Sequence, residues 1–197
     1  MFKRWFVVVI AVIIVISAIA VVGFLKTRHR ENLPETFVVS NAAAVEISRI
    51  ITETAANSVK KLDEIDAAEQ TGNYEKALDL VIEELNQSLK MREKSLDLLV
   101  ELQKMSNSVS GITIPEAQEL ILQAVSNEIS LVTHLLYYNE YWNGLLLGLR
   151  DKFGSANPTA VKTSSAEWIR KINAEATEIN ELNRKYQSLM AELQKKV

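Results

Sequence analysis

From Ile169 to Val197, the side chains Ile169, Ile172, Ala176, Ile179, Asn183, Tyr186, Met190, Leu193 and Val197 return at alternating steps of three and four. That spacing keeps one stripe of an α-helix turned toward a partner, as in the a/d seam of a coiled coil or bundle. Trp168, Leu182 and Leu189 widen the stripe on one flank, and a widened stripe calls for more than one neighbour. One helix cannot bury such a face alone, so the rest of the chain must supply the covering helices.

The remainder suits that task. The chain has only 6 glycines and 3 prolines, with 48% hydrophobic residues, a composition that favours long helices over a turn-rich β fold. Thr71-Gly72-Asn73, SVSGITIP at 108–115 and GSANP at 154–158 are turn signals, and they leave four segments at 41–70, 73–107, 115–153 and 158–196. Pro115 and Pro158 each fit a first helical position, where a missing N–H costs nothing. Helices of this size are about 45 to 58 Å long, and short connections force sequential neighbours to run antiparallel. The expectation is an all-α fold, an up-down-up-down four-helix bundle.

In the second segment Leu78, Ile82, Leu85, Leu89, Leu96 and Leu99 are the expected seam, interrupted by Arg92. The first segment is rich in alanine and carries Ile47, Ile51, Val59, Leu62 and Ile65. Gly72-Asn73-Tyr74-Glu75-Lys76-Ala77-Leu78 resembles the middle of a tetratricopeptide repeat, where glycine turns the chain and tyrosine and alanine pack the second helix. The likeness covers one turn and its flanks. No second copy follows, so it implies a shared helix-turn-helix solution.

Ahead of the bundle, Trp5 to Leu25 is a run of 21 residues without a charge, long enough to span a hydrocarbon layer of about 30 Å. Lys3, Arg4, Lys26 and Arg28 bracket it with charges that can reach headgroups. Ala18-Ile19-Ala20 fits a signal-peptide cleavage pattern, but the apolar run continues through Val21, Val22, Phe24 and Leu25, which favours a retained anchor. Two basic side chains precede the span and three follow it. A short basic head stays in the cytoplasm, placing the bulk of the chain outside it. The expected division is an anchor at 1–30, a short linker with Pro34 at 31–40, and a bundle domain at 41–197.

Charge narrows the partners. Residues 1–30 hold five basic side chains and no acid, so the remainder carries 17 basic against 25 acidic residues, a net charge of −8. An acidic body lacks the cationic surface that phosphate binding needs, so no nucleic-acid role is expected. The absence of cysteine excludes disulfides, thiolate metal sites and cysteine nucleophiles. The expected partners are the membrane, through residues 5–25, and another protein or a second copy.

The stretch 131–149, LVTHLLYYNEYWNGLLLGL, is nearly apolar enough to cross a bilayer. A charged Glu140 at its middle would cost about 2.5 to 3.5 kcal/mol there. In a bundle, Val132, Leu135, Trp142, Leu146, Leu149 and Phe153 form one seam through Asn139, broadened by Leu136, Tyr137, Leu145 and Leu147. It is therefore expected to be the most buried helix of a water-exposed bundle. His134, Tyr138, Asn139, Glu140 and Tyr141 set donors and acceptors beside aromatic rings, the mixture of a small-molecule pocket. The same residues also suit an ordinary helix crossing.

Other chemistry finds no support. A ferritin-like dimetal centre needs Glu-x-x-His on two helices, whereas His134 has Leu131 three residues before it. A haem on His134 with Met91, Met105 or Met190 would rest on single ligands without a motif. No nucleophile elbow, P-loop, dinucleotide fingerprint or zinc motif occurs. The expectation is therefore no cofactor, no metal and no catalytic residue. Two functions fit: a membrane-anchored interaction or scaffold protein, or a sensor-like bundle binding a small molecule. The second is similar in outline to bacterial chemoreceptor input domains, in which a second span and a signalling module follow. Neither is expected here, which makes an accessory subunit the form that reading takes.

Overall fold

The computed structural model describes residues 33–159 and 165–196, so the apolar run at 5–25 lies outside the described residues. Four long helices make up what is described: α1 (Glu35–Gln70), α2 (Tyr74–Ser108), α3 (Pro115–Phe153) and α4 (Ser165–Lys196). Among the described residues no helix is long and apolar enough to cross a membrane, α3 with its 131–149 stretch included.

α1 begins six residues earlier than expected. Pro34 is its N-cap, and the Val38 N–H bonds to the Pro34 carbonyl at 3.2 Å. Proline bars a helix only on its upstream side, so Glu35 to Ser40, expected in a linker, are helical. The first turn signal works as read: Gly72 takes φ 71°, a left-handed conformation that glycine adopts freely. Asn73 then caps α2, its side-chain oxygen accepting from the Lys76 N–H at 3.1 Å. The second connection is a 3-10 turn, Val109–Gly111, after which Pro115 opens α3. A β-carbon on Gly111 would lie 2.8 Å from Pro34 Cγ, so the start of α1 rests against the α2–α3 connection.

Pro158 does not open α4. The Ser155 hydroxyl accepts from the Asn157 N–H at 3.1 Å, and the Thr159 hydroxyl donates to Asn157 Oδ1 at 2.8 Å. These local bonds offer the chain a turn instead of a helix, and α4 begins at Ser165.

Cross-helix contacts fix the topology. Lys61 pairs with Glu83 at 3.1 Å, Trp142 reaches Glu84 at 3.2 Å, and His134 meets Glu175 at 2.7 Å. Each helix thus runs antiparallel to the one before it. The closest backbone approaches are between sequential neighbours.

The buried rows explain the packing. On α4, Ile169, Ile172, Ala176, Ile179, Tyr186, Met190 and Leu193 are buried as the spacing predicts, and Trp168, Leu182 and Leu189 pack half-buried on the flank. On α3 the predicted seam from Val132 to Phe153 is buried throughout. Tyr137 and Leu147, expected to broaden it, are instead 46% and 40% exposed.

α2 differs most from expectation. Its buried row is Ala77, Val81, Glu84, Ser88, Met91, Ser95, Leu98, Leu102 and Met105, which lies one residue from the predicted row. Leu78, Leu85 and Leu99 are only partly buried, while Ile82, Leu89 and Leu96 are exposed. The reason lies on α1, whose buried row includes Ala44, Ser48, Ala55 and Ser58. Two rows of small side chains let α1 and α2 approach closely, and dispersion contacts along that approach outweigh burial of a few leucines.

Candidate functional site

The interior contains a polar ladder built from three helices. Ser58 on α1 and Trp142 on α3 both hydrogen-bond the Glu84 carboxylate, the indole N–H donating at 3.2 Å. Burial pushes the Glu84 carboxyl above the usual carboxylate range, while the two hydrogen bonds and the Lys61 charge oppose that shift. One turn along, the Asn139 amide donates to the Ser88 carbonyl at 3.0 Å and to its hydroxyl at 2.9 Å. Asn143 then donates to Asn139 Oδ1 at 3.3 Å. Tyr138 stacks on Trp142 with ring centroids 6.0 Å apart, and burial raises its phenol, with the Glu84 charge adding to the effect.

A second group lies where α3 meets α4. His134 Nδ1 is 2.7 Å from Glu175, and Tyr141 packs against Trp168. Lys171 sits 4.9 Å above the Trp168 ring and 5.4 Å above that of Tyr141, an arrangement that draws the ammonium to the ring faces. A β-carbon on Gly144 would come within 2.9 Å of the Trp168 ring, so the indole lies directly on the α3 backbone. An open groove further along the α3–α4 boundary is lined by Leu122, Ser126, Asn127, Leu182 and Lys185.

The five residues expected to share a pocket thus face three directions. Tyr138 and Asn139 point into the interior toward α2, His134 and Tyr141 lean on α4, and Glu140 is exposed. Adjacent helical positions differ by about 100° in direction, so a run of consecutive residues cannot converge on one ligand without unwinding. Among the described residues no three His, Asp or Glu side chains gather as a metal ion would need.

The group not anticipated is Glu128. It is 3% exposed, and neither carboxylate oxygen has a hydrogen-bond partner in the structure. It lines a small cavity between all four helices with Asn41, Met105 and Tyr186, and the Asn41 amide nitrogen there is also without a partner. The space suits about one water. Burial pushes the Glu128 carboxyl up to about 7, and the Tyr186 phenol is raised by burial and by Glu128. A signal was present in the sequence. Continuing the α3 seam back from Val132 by four residues lands on Glu128, whereas Glu84 lies one residue off the leucine row that the sequence of α2 suggests.

Compared with family models, curated proteins and solved structures, the chain finds no match.

Proposed function

We propose that this chain is a non-enzymatic interaction or scaffold protein, held at a membrane by residues 5–25, with its helical bundle on the extracytoplasmic side. The observation that carries the reading is how the polar side chains of α3 are spent. Trp142 and Asn139 join α3 to α2, Asn143 bonds Asn139 along α3, and His134 and Tyr141 brace α4, so each serves packing. The membrane part is supported by the uncharged run and its flanking basic residues. Antiparallel order brings the start of α1, the α2–α3 connection and the end of α4 to one end of the bundle. That end, carrying Lys195 and Lys196, is the one nearest the lipid in this reading.

Fractionation of native cells tests it. The chain is expected in membranes, resistant to carbonate extraction and released by detergent, with residues 33–197 degraded by protease added to intact cells. A chain recovered in the soluble fraction overturns the anchor, and protection from external protease overturns the sidedness. Thermal stabilisation by a small molecule that is lost in Tyr138→Ala with the fold intact would favour the sensor-like alternative.

A further inference from the structure

We propose that Glu128 makes one half of the bundle a proton-controlled switch. With its carboxyl neutral, α1 and α4 stay closed over it, and loss of the proton parts them there and admits water. The switch needs neither the anchor nor a partner.

The partnering of buried polar groups divides the bundle in two. In the half toward the α1–α2 turn, Ser58 and Trp142 bond Glu84, Asn139 bonds Ser88, and Lys152 pairs with Glu69 of α1. In the half toward the start of α1, the Asn41 amide nitrogen, the Ser48 hydroxyl, Asn127 Oδ1, Asn183 Oδ1 and both Glu128 carboxylate oxygens are buried without partners. An unpartnered carboxylate is too costly to bury as an ion, so the closed form holds Glu128 as the neutral acid. Opening is least costly in this half, because water entering it reaches groups that the closed form leaves unbonded.

The same half has a seam that can part. Close backbone approaches join α1 to α2, α2 to α3 and α3 to α4, while among the described residues α1 and α4 have no comparable approach. The Glu128 cavity lies on that seam, with Asn41 and Ala44 of α1 on one side and Tyr186 of α4 on the other, while α2 contributes Leu102 and Met105. Among the described residues none of the cavity's other side chains is charged, so no cation holds the ionised carboxylate in place. Tyr186 is the one other titratable group there, and burial raises its phenol, so it keeps its proton through neutral pH.

The direction follows from proton binding. Burial holds the Glu128 carboxyl at about 7 in the closed form, against 4.5 ordinarily, and contact with water in the parted form restores the ordinary value. The closed form therefore binds the proton between these values, and opening grows more favourable as pH rises through them, by roughly 70-fold between pH 5 and 8.

Hydrogen exchange of the full-length chain in detergent at pH 5 and pH 8, with each rate divided by the intrinsic rate at that pH, reads this opening. Amides of 41–48 and 183–193 are expected to lose protection at pH 8 by about that factor, while those around Ser88 and Asn139 keep theirs. Glu128→Gln, of the same shape, and the apolar Glu128→Leu should each abolish the difference. The proposal is overturned if protection at 41–48 and 183–193 does not change with pH, if all four helices lose protection together, or if either folded variant responds to pH as the unaltered chain does. Should neither variant fold, the pattern of exchange in the unaltered chain still decides, because only a parting of α1 from α4 confines the loss to those two segments.

Discussion

Glu128 is the residue whose chemistry and position are most at odds. Its carboxyl is raised from the ordinary 4.5 to about 7 by burial, so between those values the folded chain binds a proton that the unfolded chain releases. Stability from this group is therefore fully present below about 4.5 and is lost as pH rises through 7. The span corresponds to about 3 kcal/mol. Glu128→Gln keeps the shape without the charge, and is expected to stabilise the fold at pH 8 by a similar amount while changing little at pH 4. Denaturant unfolding across that range checks it, and equal pH dependence in the two chains would contradict it. Gly144 offers a second residue-scale prediction. Its β-carbon would meet the Trp168 ring at 2.9 Å, so Gly144→Ala should displace the indole and cost about 1 to 3 kcal/mol, seen as a lower melting temperature and a shifted Trp fluorescence maximum.

At the scale of the helix, α4 could be read from its sequence because its large side chains and its buried row coincide. α2 could not, because it carries two rows with the same 3-4 rhythm one residue apart. The row with more leucine looks like the core, yet the row through Ala77, Glu84, Ser88 and Ser95 is buried. Only the small side chains of α1 decide between them, and they act through a close approach that a single-helix pattern does not contain. The same holds for α1, whose buried row includes the small side chains Ser40, Ala44, Ser48, Ala55 and Ser58 that no apolar pattern picks out. This gives a paired prediction in α2. Leu98→Ala, in the buried row, should cost about 2 to 5 kcal/mol, whereas Leu96→Ala, two residues away and exposed, should cost well under about 1 kcal/mol. Reversed magnitudes would restore the leucine row to the core.

For the whole molecule, sequence periodicity and three turn signals reached the number of helices and their order, while the organisation of the interior depended on contacts between distant segments. The pocket expected at His134, Tyr138, Asn139, Glu140 and Tyr141 joins neighbours in sequence, and a helix turns such neighbours apart. What the interior holds instead is the polar ladder that ties α1, α2 and α3 at one level through Ser58, Glu84 and Trp142. That ladder locks the rotation of α2 that the small side chains of α1 select, and with it which leucines reach the surface. Selective isotope labelling of the indole N–H groups tests this directly, with Trp142→Phe assigning the signal by its disappearance. Nuclear Overhauser contacts from the Trp142 indole proton to the Glu84 side chain are expected, with none to Leu85. Contacts to Leu85 in place of Glu84 would mean that α2 is rotated to bury its leucine row, and would contradict the account.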